Sequence, residues 1–255
     1  MNDEVYEEMY RVESRHWWFR AKHKIVRSLL ARYVPLAASH QNPGAKPRVI
    51  DLGCGCGYLL SLINNDYDAI GMDGFSQAVE FSQRRGVRVE VGSLPEPVPF
   101  EDASADAILL LDVLEHLEDD TTCFERAVRL LKPGGVAICT VPAYPWLWTK
   151  RDEFHQHFRR YTRGAFKKLM NVPGMKSEFV SHMNAVLFPA AVGERVVRKF
   201  VPLKEGHGDL KVPATPINAL FRESYAAERV LLGRLPIPFG LSLVSVSRRE
   251  EMVAK

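Results

Sequence analysis

Two acidic residues and a run of glycines stand at the ends of predicted strands. Asp51 precedes a G-x-G-x-G turn formed by Gly53, Gly55 and Gly57, and Asp73 closes the next predicted strand. Glycines let a backbone turn sharply and approach a ligand closely, and an acid at the next strand end can accept hydrogen bonds from both ribose hydroxyls. The pattern predicts a site for an adenosine-type ligand. A plain loop of glycines, with Asp73 as a helix N-cap, is the structural alternative.

Three histidines supply candidates for acid–base chemistry. His116 follows the predicted fourth strand, and His155 and His157 lie in a loop after the predicted fifth strand. An unperturbed histidine titrates near pH 6.5, close to working conditions, so each is a candidate catalytic base that deprotonates an acceptor hydroxyl. Solvated or helix-capping roles stay open for all three.

The same loop, residues 143–161, is aromatic and charged. It leaves a predicted strand at the carboxyl end of the sheet, so we expect it to form the wall of a substrate site. The candidate substrate residues are Tyr144, Trp146, Trp148, Arg160 and Tyr161. Arg160 and Tyr161 suit an anionic group on the substrate, or surface ion pairs.

Alternating strand and helix patterns must position these groups. Strands are predicted over 48–52, 69–72, 87–91, 107–111, 136–141, 178–183 and 240–247, and helices over 58–64, 77–85, 121–131, 162–170, 185–200 and 217–232. The order indicates βαβ units and a doubly wound parallel α/β sheet. Residues 132–135, Lys-Pro-Gly-Gly, are expected to end the third helix.

Composition narrows the class of protein. The 255 residues are 46% hydrophobic, and a net charge of +3 without a basic block argues against a nucleic-acid partner. The acidic start, and apolar runs too short to cross a bilayer, argue against a secretory signal and a transmembrane segment. With four cysteines in no metal-binding spacing, we expect a reduced, cytoplasmic protein.

We expect one domain over 1–255, with an N-terminal helical arm (1–34), a cofactor-binding core (48–141) and a helical insertion (184–235).

These motifs together resemble the class I S-adenosylmethionine (SAM) methyltransferases, in the small-molecule group called type 11 or 12. The matching stretches are residues 49–57, 71–73, 94–95 with 99–100, 106–117 and 131–135. The resemblance implies a Rossmann-like, seven-stranded sheet whose last strand is antiparallel, and it implies SAM as cofactor.

The resemblance also implies roles for residues around the cofactor. The glycine turn, with Asp51 and Cys54, would pass under the methionine part, and Asp73 would hold the ribose. Gly74 and Phe75 would border the adenine. Ser93 and Leu94 stand where the family has an acid that meets the adenine amino group, so Ser93 departs from the pattern. The adenine contact would then come from the Ser93 hydroxyl or the Leu94 amide. Leu111 and Asp112 would flank the cofactor.

Two further stretches carry hypotheses. Bacterial members of the family have a similar His-Trp-Trp-Phe arm, which favours a lid in which Trp18 faces the sulfonium and Arg20 meets the cofactor carboxylate; packing on the sheet edge is the alternative. Related quinone O-methyltransferases take metal ligands from a stretch similar to Asp112, Glu115 and His116. Relatives in which these residues bind no metal have the same sequence motif, so we assign no metal to it.

The predicted activity is methyl transfer to a small, apolar acceptor, chiefly to oxygen. N-, C- or carboxyl-methylation stays open, as does a different class, a nucleotide-binding oxidoreductase or a non-catalytic binding module. The apolar faces of the two insertion helices suit core packing, a lipid-like acceptor with peripheral membrane contact, or a homodimer contact.

Overall fold

The computed structural model describes residues 3–36, 45–198 and 211–251. In chain order, the helices and strands are α1 (Asp3–Val12), α2 (Trp17–Tyr33), β1 (Arg48–Leu52), α3 (Tyr58–Ile63), β2 (Asp68–Asp73), α4 (Ser76–Arg84), β3 (Val89–Val91), β4 (Ala105–Leu111), α5 (Asp120–Arg129), β5 (Leu131–Pro142), α6 (Lys150–Phe154), α7 (Arg163–Leu169), β6 (Met175–Met183), α8 (Phe188–Arg198), α9 (Thr215–Ala227) and β7 (Ser242–Arg249).

The seven strands form one sheet in the order β3-β2-β1-β4-β5-β7-β6. The strands from β3 to β5 pair in parallel, whereas β7 runs antiparallel to both β5 and β6. The predicted sheet with an antiparallel last strand is therefore confirmed. Strand order reverses between β1 and β4, and ligands bind at this point in doubly wound sheets.

Alternating strand residues divide the core into two layers. Val49, Ala107 and Leu109 face a layer that contains α2, α3 and α9, whereas Ile50 and Ile108 face α5 and α7 on the other side. Side chains of a strand point alternately to opposite faces, so a parallel strand covered on both faces is apolar at nearly every position. The apolar runs of the sequence are explained by this double cover.

The Lys-Pro-Gly-Gly stretch differs from its prediction. Helix α5 ends at Arg129 and residues 132–135 already belong to β5. The pairing of β4 with β5 shifts register between Ala105 and Ala107, and Gly134 has a φ of 79°. The proline and glycines therefore form an irregular strand start, where a missing donor and a positive φ are tolerated.

The insertion contains helices α8 and α9, between β6 and β7, as expected; residues 199–210 of the predicted 184–235 segment lie outside the described residues. Helix α9 packs on α2. Within the described ranges, no helix is long and apolar enough to span a membrane. The division into arm, core and insertion stays a prediction.

Candidate functional site

The glycine turn lies where β1 ends and α3 begins. Gly53, Gly55 and Gly57 all have positive φ, between 56° and 78°. A β-carbon at Gly53 would lie 2.6 Å from a methyl group of Val113, so a larger residue cannot be accommodated there. The turn exposes Gly53 at the crevice between β1 and β4, as a close approach of ligand to backbone requires.

Asp73 lies beside this turn at the end of β2. Its Oδ2 accepts a hydrogen bond from the Gly55 amide at 2.9 Å, and its Oδ1 accepts one from the Phe75 amide at 3.1 Å. Burial raises the pKa of this carboxyl, and these hydrogen bonds oppose the rise. Gly74 and Phe75 are exposed next to it, as is Ser93 at the end of β3, whereas the Leu94 side chain is buried. The carboxyl ends of β2 and β3 therefore bring together the residues that were predicted to bind the ribose and the adenine.

A buried lysine that the sequence reading missed lies at the switch point. Lys22 of α2 is 5% exposed, and its Nζ donates to Asp112 Oδ2 at 2.7 Å. It also lies over the Trp18 ring, 4.6 Å from the centroid. Lys22 falls four residues after Trp18 and four before Val26, so it lies on the apolar face of α2. A charged residue on an otherwise apolar helix face is the sequence signal that could have identified it as a buried, functional lysine. Arg20, the predicted carboxylate ligand, lies on the same helix and its role stays a prediction.

Two acids share the pocket with Lys22. Burial raises the pKa of Asp112, but the adjacent Lys22 charge and hydrogen bonds from Lys22 and Thr140 outweigh it, so the net pKa is lowered. Asp51 is 3% exposed, and burial raises its pKa to about 7, against the effect of Lys22. One oxygen, Asp51 Oδ1, is buried without a hydrogen-bond partner. The pocket is therefore acidic overall and holds an unsatisfied acceptor.

The histidines meet at the same end of the sheet. His116 lies in a 3₁₀ turn after β4, and its ring packs edge-on against His157, with centroids 4.6 Å apart. His155 is 6.0 Å from His157, ring to ring. Burial, and then the neighbouring His157, lower the pKa of His116 to about 4, so His116 is neutral at pH 7. The amide of Phe158 donates to the Glu115 carbonyl at 2.7 Å and holds the loop here.

Asp152 orients His157 and was also missed by the sequence reading. It is 1% exposed, and its Oδ1 lies 2.9 Å from His157 Nδ1 and 2.7 Å from Arg160 Nε. A carboxylate only accepts, so we assign the proton of His157 to Nδ1, which leaves Nε2 as the basic atom. Burial raises the pKa of Asp152, but hydrogen bonds from His157 and Arg160 lower it overall.

The histidine cluster could hold a cation, but its ligands would differ from the set of Asp112, Glu115 and His116 that the resemblance suggested. Glu115, His116 and His157 bring ligand atoms within 4.8 Å of one another. Glu115 is 1% exposed, and its Oε2 is buried without a hydrogen-bond partner. Asp112 is engaged by Lys22 and Thr140 instead.

The substrate loop divides into exposed and structural residues. Tyr144, with a φ of 60°, stacks on His182 and packs near Trp146 and Phe188 at 5.5 and 5.4 Å. Trp146 is 56% exposed. Trp148 is half-buried, with its indole near Glu153.

The two remaining loop residues serve the fold in this structure. Tyr161 is 4% exposed, and its hydroxyl donates to Asp120 at 2.6 Å. The Arg160 guanidinium is held by Asp152 and by the Ala143 carbonyl. We therefore leave both out of the proposed acceptor wall, because burial and internal partners explain them.

The residues present fit SAM. Its sulfonium and ammonium groups give a net positive charge against one carboxylate, which suits an acidic pocket with a single lysine. The Asp51 oxygen without a partner and the Asp73 carboxylate offer acceptors for the ammonium and hydroxyl donors of such a ligand, and the exposed glycine backbone allows its close approach.

Comparisons with known proteins agree with this geometry. The family described as "Methyltransferase domain", type 11, matches residues 50–139. A probable SAM-dependent methyltransferase from Mycolicibacterium smegmatis is 34% identical over 130 residues, 50% of this chain and 46% of that protein. A ubiquinone biosynthesis O-methyltransferase from Rickettsia felis is 26% identical over 51% of this chain and 58% of its own length. This chain spans about half the length of the curated relatives it matches.

Solved structures share the fold. A putative methyltransferase in complex with the Trm112 methyltransferase activator of Haloferax volcanii superposes with a TM-score of 0.61 at 20% identity, over 98% of this chain and 95% of that one. A putative sarcosine dimethylglycine methyltransferase from Galdieria sulphuraria gives 0.58 at 17% identity, over 90% and 86%. These structures show the fold alone; the family match over residues 50–139, together with the strand order, identifies the chain as a class I SAM-dependent methyltransferase of the type 11 family.

Proposed function

We propose that this chain transfers a methyl group from SAM to an oxygen atom of a small, largely apolar acceptor. The observation that carries the proposal is a histidine held by a buried carboxylate, His157 on Asp152, at the edge of the sheet where the cofactor residues lie. A positioned base is what distinguishes transfer to a hydroxyl from transfer to an already nucleophilic atom.

The cofactor supplies an activated methyl group on its sulfonium. In the proposal, Asp73 binds the ribose, and the acidic pair Asp51 and Asp112 favours the positively charged methionine end. Lys22 holds Asp112 in place and offers a partner to the cofactor carboxylate. Trp18, under the Lys22 ammonium, closes the pocket against water.

The base in this proposal is His157 Nε2. Asp152 fixes its tautomer and offsets the positive charge that forms when the acceptor proton arrives. His116 packs against the ring and stays neutral at pH 7, so it adds no competing charge. His155 is a second candidate at a greater distance.

The acceptor would lie against aromatic rings at the ends of β5 and β6. Tyr144, Trp146 and Phe188 form a wall that Phe239 extends, with centroids 5.6 Å apart for Phe188 and Phe239. Trp146 and Phe239 are 56% and 44% exposed, so the wall is open to a flat or lipid-like acceptor. Ile217 and Leu220 on α9 are also exposed apolar side chains, which suit peripheral membrane contact or a homodimer.

The cofactor is tested first, by calorimetric titration with S-adenosylhomocysteine (SAH) and with NADH. We expect SAH to bind and NADH not to bind; the reverse would refute the methyltransferase proposal in favour of an oxidoreductase. Metabolite extracts incubated with labelled SAM then reveal the acceptor by mass shift. SAH binding without turnover on any extract would favour a binding module.

The base is tested with His157→Asn, whose amide can keep a hydrogen bond to Asp152 while the basic nitrogen is lost. We expect kcat to fall by roughly 10²- to 10⁴-fold, with cofactor affinity unchanged. The companion variant His157→Ala should be partly rescued by added imidazole. Activity of His157→Asn within twofold of wild type would remove His157 from the mechanism and favour N- or C-methylation.

A further inference from the structure

Tyr225 of α9 is a buried tyrosine whose hydroxyl is left unpaired. The side chain is 0% exposed, and no residue in the described part of the chain forms a hydrogen bond with its Oη. Buried tyrosine hydroxyls are ordinarily hydrogen-bonded, because a buried polar group without a partner is destabilising. The hydroxyl of Tyr67, another buried tyrosine, donates to the Val34 carbonyl at 3.2 Å. The Tyr225 hydroxyl therefore suits a partner that comes from outside the chain.

Contacts between α9 and α2 place Tyr225 at the cofactor end of the sheet. The Tyr225 ring lies edge-on to the ring of Trp17, the first residue of α2, with centroids 6.3 Å apart. Asn218, about two turns earlier on α9, accepts from the Trp17 amide at 2.9 Å and so fixes the two helices to each other. Lys22, which pairs with Asp112, follows Trp17 on α2 by little more than one turn. Tyr225 therefore lies near the level of this ion pair along α2.

The charges around the hydroxyl agree with this position. Burial raises the pKa of Tyr225 well above its usual value, and the carboxylates of Glu228 and Asp112 raise it further. Glu228, one turn after Tyr225, accepts from the amides of Asn184 and Ala185 at 2.7 and 2.8 Å, where β6 ends. The hydroxyl thus keeps its proton at any working pH. It is a permanent donor near the ends of β4 and β6.

The methionine part of SAM brings a group that needs such a donor. It carries an ammonium, which suits the acids Asp51 and Asp112, and a carboxylate, which these acids repel. Lys22 is the cation of this pocket, and it already donates to Asp112. Hydrogen bonds to a charged group are roughly twice as strong as those between neutral groups. A neutral hydroxyl that has no other partner can therefore support the cofactor carboxylate beside the shared lysine.

We propose that the Tyr225 hydroxyl donates a hydrogen bond to the carboxylate of the methionine part of SAM. This inference rests on the cofactor placement in the proposed function, and it makes the helical insertion part of the cofactor site. The free protein holds the hydroxyl unpaired, and the cofactor supplies the missing acceptor. Binding is thus strengthened by a group that weakens the stability of the free protein.

The test compares Tyr225→Phe with Tyr67→Phe. Each is titrated with SAH and with 5′-methylthioadenosine, which lacks the amino-acid part of SAH. Tyr225→Phe should bind SAH roughly 10- to 100-fold more weakly, as expected for a lost hydrogen bond to a charged group, and should bind 5′-methylthioadenosine like wild type. Its Tm should equal that of wild type or exceed it by up to about 4 °C, because an unpaired buried hydroxyl is removed. Tyr67→Phe should lower Tm, since the Val34 carbonyl loses its donor, and should bind both ligands like wild type.

The other outcomes overturn the proposal. SAH affinity of Tyr225→Phe within twofold of wild type would mean that the hydroxyl does not meet the cofactor carboxylate. Equal weakening of SAH and 5′-methylthioadenosine would indicate a general disturbance of the pocket. A lower Tm with unchanged SAH binding would assign the hydroxyl to a buried water. If wild-type protein binds neither ligand, the proposed function itself falls, and this result is read from wild type alone, so the two failures are distinct.

Discussion

Lys22→Met is expected to destabilise the fold because it leaves Asp112 as a buried charge without its partner. The two side chains are 6% and 22% exposed, with Nζ and Oδ2 2.7 Å apart. Breaking a fully buried pair costs about 3–5 kcal/mol. The residual exposure of Asp112 reduces this, so we expect a loss of about 2–3 kcal/mol in the free energy of unfolding, or about 4–12 °C in Tm.

The same helix offers a matched control. Lys24 pairs with Glu223 at 2.9 Å, but these side chains are 38% and 52% exposed. Lys24→Met therefore removes the same charge from the same helix, and should cost less than about 0.5 kcal/mol. Thermal melts and urea titrations of both variants measure the difference.

A double-mutant cycle with Asp112→Asn isolates the pair. Lys22→Met combined with Asp112→Asn should recover most of the stability that Lys22→Met alone loses, because no unpaired charge remains.

The pH dependence of stability gives a second check. Lys22 lowers the pKa of Asp112, so the carboxylate stabilises the fold above its unfolded pKa and loses this effect as pH falls through the lowered value. The Lys22→Met defect should thus shrink below about pH 4. Equal stability of the Lys22→Met and Lys24→Met variants at pH 7 would refute the reasoning.

Two further predictions concern the charges of the pocket. Burial raises the pKa of Asp51 to about 7, so the folded state keeps a proton that the unfolded chain releases near pH 4, and stability falls as pH rises between these values. Melts of Asp51→Asn should show a gain over wild type at pH 8 and little gain at pH 4; parallel curves would contradict this. Methyl transfer should survive EDTA, because the proposed mechanism uses His157 Nε2 as a free base and so removes one ligand from the set of Glu115, His116 and His157. Loss of activity that an added divalent cation restores would instead assign a metal to Glu115, His116 and His157.

Much of the fold was predictable because its signals are local. Residues 48–52 were predicted as a strand and form β1. The helix predicted over 162–170 forms as α7, where the Thr162 side chain accepts from the Ala165 amide as N-cap. Strand ends in a parallel sheet carry glycines and acids in fixed order along the chain, so Asp51, Asp73 and the glycine turn could be placed together without coordinates. Residues 132–135 were misplaced because proline and glycine are equally compatible with a helix end and a bulged strand start.

The sequence by itself determined the doubly wound sheet and the adenosine-type ligand, since periodicity and turn chemistry act over a few residues. Tertiary structure alone decided which distant side chains meet there. Lys22 reaches Asp112 across 90 positions, and Tyr6 lies against Phe75 from a helix whose sequence carries no ligand motif. In the sequence, Asp152 has no feature that distinguishes it from other acids near a helix start. Only the folded loop brings His157 within hydrogen-bond distance of it. Such partners depend on how helices dock on the sheet, and docking is set by packing of the whole core instead of by neighbouring residues.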